Sequence, residues 1–168
     1  MDSWRYYMEW IYFAAGIVLG MVILVILVSQ AMQRYMIVEY RSNRTFEDTC
    51  KAVAETIEQF KDEGWGLPLD EWDAFSVFQL KRRVPENFRK LHIFFVCNAD
   101  IASRILSHNR KIVGIMPCSW AIYELEDGTV WLAKMNVGLM SRLFSGVIGS
   151  GMKQVSKADE KMLDKVLG

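Results

Sequence analysis

Residues 116–135 read MPCSWAIYELEDGTVWLAKM. Two apolar, aromatic-rich runs flank Asp127-Gly128, and this dipeptide between such runs marks a β-hairpin, because a primed turn needs positive φ at both central residues. A two-residue turn there would set Leu125 opposite Val130, Glu124 opposite Trp131, Tyr123 opposite Leu132 and Ile122 opposite Ala133. One sheet face would carry Tyr123, Leu125, Val130 and Leu132. The other would carry Trp120, Ile122, Trp131, Ala133 and Met135. Both faces are apolar enough to need cover. Unless the C-terminal helices close it, the second face, with Trp120, Ile122, Trp131 and Met135, is the expected surface for a ligand or a second chain.

Upstream of the hairpin, residues 91–97 (LHIFFVC) form the strongest strand candidate, and Asn98 is placed to cap a helix with Ile101, Ile105 and Leu106 on its apolar side. Farther back, Thr45 and Asp48 approximate a capping box, and Phe46, Cys50, Val53, Ile57 and Phe60 recur at helical spacing up to Gly64. Residues 36–41 read as a first strand, 65–73 as a loop broken by Gly66 and Pro68, and 75–80 as a second strand. After the hairpin the pattern is helical, but Gly146, Gly149 and Gly151 suggest a loose joint before a charged helix over 156–167. These elements give an α+β class, with a soluble domain over 36–145 and a C-terminal helical tail over 146–168.

The N-terminal segment differs in kind. Residues 10–33, WIYFAAGIVLGMVILVILVSQAMQ, hold 24 residues without a formal charge. At 1.5 Å per residue they match the roughly 30 Å bilayer core, so a single transmembrane helix following a tail over 1–9 is expected. Aromatic residues cluster at both ends, as suits the headgroup zones. A cleaved signal peptide would have a basic n-region and a shorter apolar run, whereas Asp2 and Glu9 stand beside Arg5. Arg34, Arg41, Arg44 and Lys51 follow the span while Arg5 alone precedes it, which predicts a cell-membrane protein with a cytoplasmic domain. Gly16 and Gly20 form a small-xxx-small pair that suits packing against a membrane partner or a second copy.

Lysine plus arginine equal aspartate plus glutamate at 20 each, so charge balance gives no reason to expect a nucleic acid partner. An acidic stretch over 47–73 and a basic one over 81–111 read chiefly as solvated faces. Three cysteines, Cys50, Cys97 and Cys118, are too few for a disulfide framework. A metal site would draw on these with His92 and His108, but His92 and Cys97 alternate to opposite strand faces and no C-x-x-C or H-x-x-x-H pair occurs. Cys50 reads as a small core residue. The phosphate-loop, dinucleotide and nucleophile-elbow motifs are missing, so neither catalytic residues nor a metal are expected and no cofactor is assigned.

Three segments, VCNADIASRIL, GIMPCSWAIYELEDGTVWLAKMN and GLMSRLF, resemble the family known as domain of unknown function 302, over about 36–145. The resemblance departs at Ala99, where many members have proline. It implies a β-α-β(4)-α arrangement, related to TATA-binding-protein-like folds, with helices on one face of an antiparallel sheet. It implies no activity. The expected function is therefore a membrane-anchored, non-catalytic binding or accessory module, with a thiol-based redox or metal-binding role for Cys118 and Cys97 as the alternative.

Overall fold

The computed structural model describes residues 3–168 and divides into two compact units, one ending at Met36 and one spanning Ile37–Gly168. The first unit is one helix, α1 (Ser3–Tyr35). Its Tyr7–Tyr35 stretch is long and apolar enough to cross a membrane, and every side chain over residues 7–31 is exposed. Residues 3–9 continue the helix; Met1 and Asp2 of the expected tail lie outside the described residues.

The second unit contains β1 (Ile37–Ser42), α2 (Phe46–Gln59), β2 (Trp65–Gly66), β3 (Trp72–Asp73), α3 (Ala74–Leu80), β4 (Phe88–Asn98), α4 (Ala99–His108), β5 (Cys118–Leu125), β6 (Val130–Met135), α5 (Val137–Leu143) and α6 (Gly146–Leu167). The antiparallel sheet runs β1-β6-β5-β4-β2, and β3 also pairs with β4. This confirms the α+β class. Helices separate β3 from β4 and β4 from β5, so the strands are not the uninterrupted set of four that the resemblance implies.

Local sequence explains where α2 and α4 begin. Thr45 Oγ1 accepts the Asp48 amide at 3.2 Å, and Asn98 Oδ1 accepts the Ile101 amide at 3.0 Å, satisfying amides that helix geometry leaves free. Residues 75–80 are helical, not a strand. Asp73 caps them by accepting the Ser76 amide at 2.9 Å, and this cap outweighs the strand-like composition of the segment. The expected loop over 65–73 likewise contains the two short strands β2 and β3.

The hairpin forms where expected but with a three-residue turn. Leu125 donates its amide to the Thr129 carbonyl, Gly128 donates to the Leu125 carbonyl, and Gly128 takes φ of 79°. Asp127 Oδ1 accepts both the Thr129 amide and its hydroxyl, fixing the longer turn. One added turn residue shifts the register: Glu124 faces Val130, Tyr123 faces Trp131, Ile122 faces Leu132 and Trp120 faces Lys134. A one-residue slip moves side chains between faces, so the expected grouping of Trp120 and Ile122 with Trp131 and Met135 is corrected. Trp120 and Ile122 share the helix-covered face with Val130 and Leu132. Trp131, Ala133 and Met135 are half-buried on the other face, with Tyr123.

The main core lies between that covered face and helices α2 and α6. Val53 and Ile57 of α2 and Met162 and Val166 of α6 meet Phe94, Trp120, Ile122 and Leu132, all nearly sealed from solvent. Burying each such side chain stabilises by about 1.5–3 kcal/mol. Residues 146–168, read from sequence as a tail, thus bring core residues with them. Of the three glycines expected to loosen this region, only Gly146 lies at the joint, with φ of 62°. Gly149 and Gly151 are helical and buried, where a Cβ would meet the Phe144 carbonyl oxygen at 2.2 Å and the Ile105 side chain at 2.6 Å. Their role is close packing. Across the same core, Asp159 of α6 pairs with Lys134 Nζ and accepts the Trp120 indole N–H at 3.0 Å.

Candidate functional site

A cleft of about 510 Å³ opens between α2 and the edge of the sheet where β3 meets β4. The apolar stripe of α2 turns Phe46 and Cys50 toward it. From β4 come Lys90 and His92, which alternate with Leu91 and therefore project to the helix-covered side. The short strand β3 pairs Asp73 with His92, and Glu71 lies just before that strand.

His92 is the centre of this arrangement. Its ring stands edge-on to Phe46, with centroids 4.9 Å apart and planes at 81°. Nε2 lies 3.8 Å from Asp73 Oδ1, and Nδ1 lies 3.4 Å from Glu71 Oε2. Nδ1 is sealed from solvent and makes no hydrogen bond, unusual for a buried polar atom. One donor atom each from Cys50, Glu71 and His92 lie within 4.8 Å of one another.

The surrounding charges set the protonation states. Burial pushes the Cys50 thiol up to about 12, with the Glu71 and Glu47 carboxylates acting in the same direction. As a free group it is therefore a thiol at neutral pH and a poor nucleophile. Bonds from the Ser76 hydroxyl and amide hold the Asp73 carboxyl below its ordinary value. At the rim Lys90 bonds Glu47, lowering the Glu47 carboxyl and raising the Lys90 ammonium, and it also reaches Glu124 at 3.4 Å.

The residues singled out from sequence fall elsewhere. Trp120 and Ile122 are core residues, whereas Trp131 and Met135 lie on the opposite face, so the four do not form one surface. Val96 pairs with Cys118, which places the neighbouring Cys97 on the opposite face from Cys118, and neither forms a disulfide. Burial raises both thiols, that of Cys118 to about 11. Gly16 and Gly20 stand on α1 with open space where a Cβ would be. Nothing in the sequence singles out Glu71, which sits in a loop-like segment with no spacing motif joining it to Cys50 and His92. The signal available was a histidine on the inward face of a strand and a cysteine on the inward stripe of a helix.

The family model described as Domain of unknown function DUF302 matches residues 38–168. The chain belongs to this family. The DUF302 match continues past residue 145 to the end of α6, in keeping with that helix's place in the core. A solved structure, that of an uncharacterized conserved DUF302 protein from Bacillus stearothermophilus, is similar at 20% identity with a TM-score of 0.64. The match covers 78% of this chain and 98% of that one, a likeness of fold alone. Among curated proteins none matches.

Proposed function

We propose that this DUF302 chain is a membrane-anchored binding module: α1 holds it in the cell membrane, the folded unit faces the cytoplasm, and the α2–β4 cleft receives a small ligand. The observation that carries the reading is His92 Nδ1, sealed and without a hydrogen bond, 3.4 Å from the Glu71 carboxylate and close to the Cys50 thiol. Leaving such an atom unpaired costs about 1–3 kcal/mol, and a ligand that pairs with it recovers that cost. Binding is favoured over thiol catalysis because Cys50 stays protonated at neutral pH. The apolar length of Tyr7–Tyr35 supports the anchor, and the excess of arginine and lysine after it supports the orientation. Gly16 and Gly20 are the proposed contact for a membrane partner or a second copy.

Two measurements test this. The full chain should resist carbonate extraction and be spared by protease added outside intact cells; extraction or digestion would overturn the anchor or the orientation. In NMR fragment screening of residues 37–168, amide shifts should cluster at Phe46, Cys50, Leu91 and His92. Shifts centred on Tyr123 and Trp131 would move the binding site to the other sheet face.

A further inference from the structure

We infer that Cys50 Sγ, a Glu71 carboxylate oxygen and His92 Nδ1 form a three-ligand site for a divalent transition metal ion of the zinc type, its fourth position open to the cleft. The inference rests on the reading of the cleft as a binding site and names the ligand class. Thiolate, imidazole and carboxylate are the zinc donor set, whereas calcium and magnesium select oxygen alone. Three protein ligands with one open position is the pattern of a site that exchanges or presents a fourth ligand, not of a closed structural centre.

The distances fit. With metal–nitrogen and metal–oxygen bonds of about 2.0–2.1 Å, tetrahedral donors lie roughly 3.3–3.5 Å apart. Glu71 Oε2 and His92 Nδ1 are 3.4 Å apart. The sulfur lies within 4.8 Å of a donor atom of each of the other two residues, so at most on the order of 1 Å has to close, which a small side-chain rotation supplies. On the far side of the imidazole, Nε2 lies 3.8 Å from Asp73 Oδ1, longer than a hydrogen bond, and Asp73 is itself fixed by the amide and hydroxyl of Ser76. A small approach of Asp73 to Nε2 would complete the order carboxylate, histidine, metal. Binding replaces the Cys50 S–H bond by a sulfur–metal bond and releases that proton to solvent.

The test is titration of the full chain, in detergent micelles, with Co²⁺, whose thiolate charge-transfer and visible bands report the donor set. One equivalent should bind with a thiolate band, and Zn²⁺ should displace it. Cys50→Ala should abolish the band, while Cys97→Ala and Cys118→Ala should keep it. Because His92→Ala removes a ring packed against Phe46, Glu71→Gln is the second variant: its side chain is 45% exposed, so the fold should be unchanged on circular dichroism while affinity falls at least about tenfold. No stoichiometric binding at micromolar Co²⁺, a band surviving in Cys50→Ala, or unchanged affinity in Glu71→Gln would each overturn the inference. If Co²⁺ fails while fragments still perturb the cleft, the metal inference falls and the binding reading stands; if both fail, the cleft is not a ligand site.

Discussion

Replacing Lys134 by methionine should cost about 3–5 kcal/mol of folding stability, because it strands a buried carboxylate. Lys134 and Asp159 are 7% and 6% exposed and bond each other between β6 and α6, while the Trp120 indole N–H holds the second Asp159 oxygen at 3.0 Å. Removing one member of such a pair leaves an uncompensated charge, whereas replacing both by apolar groups of similar volume is often neutral. Burial already pushes the Asp159 carboxyl above its ordinary value, opposed by the Lys134 ammonium and the Trp120 N–H. Without Lys134 only the indole opposes it, so the Asp159 carboxyl is pushed higher still. Asp159→Leu should cost at least as much, since it strands the ammonium and leaves the indole N–H unpaired, itself worth about 1–3 kcal/mol. The double variant Lys134→Met/Asp159→Leu removes both charges and should recover all but the indole penalty. The assay is urea unfolding of residues 37–168 followed by circular dichroism. With a slope of about 2 kcal/mol per molar, a 4 kcal/mol loss moves the midpoint by about 2 M. Single variants costing under about 1 kcal/mol, or a double variant as damaged as the sum of the singles, would refute the reasoning.

Cys118→Ala should cost about 1 kcal/mol through a small cavity, and the native thiol should label more slowly than in the unfolded chain. Its value, raised by burial from 9.0 to about 11 in the folded chain, gives stability that is complete below the unfolded value and lost as pH climbs toward the folded one. Wild type should therefore lose about 2 kcal/mol more than Cys118→Ala between pH 9.0 and about 11, and equal losses would contradict the assignment. Gly149→Ala sets a Cβ against the Phe144 carbonyl oxygen and should lower stability by about 1–3 kcal/mol despite alanine's helix propensity. Gly151→Ala meets side-chain atoms of Ile105 and Ile101, which can shift more readily than backbone, and should cost less; thermal melts showing the reverse order would argue against this packing. Replacing Gly16 and Gly20 together by leucine should reduce energy transfer between labelled copies in micelles if that face mediates self-association, and unchanged transfer would remove it as a contact.

What could be read from sequence was what a few neighbouring residues decide. Thr45 and Asn98 each place a side-chain oxygen three residues before an amide in need of one, so the starts of α2 and α4 were legible. The hairpin's position was legible from Asp127-Gly128, but its register depended on Asp127 bonding Thr129 and lengthening the turn by one residue. That single residue decided which faces Trp131 and Met135 occupy, and so dissolved the surface they were expected to share with Trp120.

The candidate site was hidden for a related reason, since Cys50, Glu71 and His92 belong to three segments that only the tertiary fold brings together. Yet part of the signal was present. Alternation on β4 puts His92 on the same side as Phe94 and Val96, and helical spacing puts Cys50 on the same stripe as Phe46, Val53 and Ile57. Two ligand-type side chains were therefore directed inward from elements whose inward faces must meet. Treating Cys50 as core was sound for a thiol alone, because a small buried cysteine needs no partner. A histidine directed inward at the edge of the sheet does need one, and within the cleft Glu71 stands on its Nδ1 side, Asp73 stands on its Nε2 side and the Cys50 thiol lies within 4.8 Å of a ring nitrogen. The useful inference from sequence was thus not a spacing motif but an obligation: an inward polar ring must find partners, and those partners locate the site.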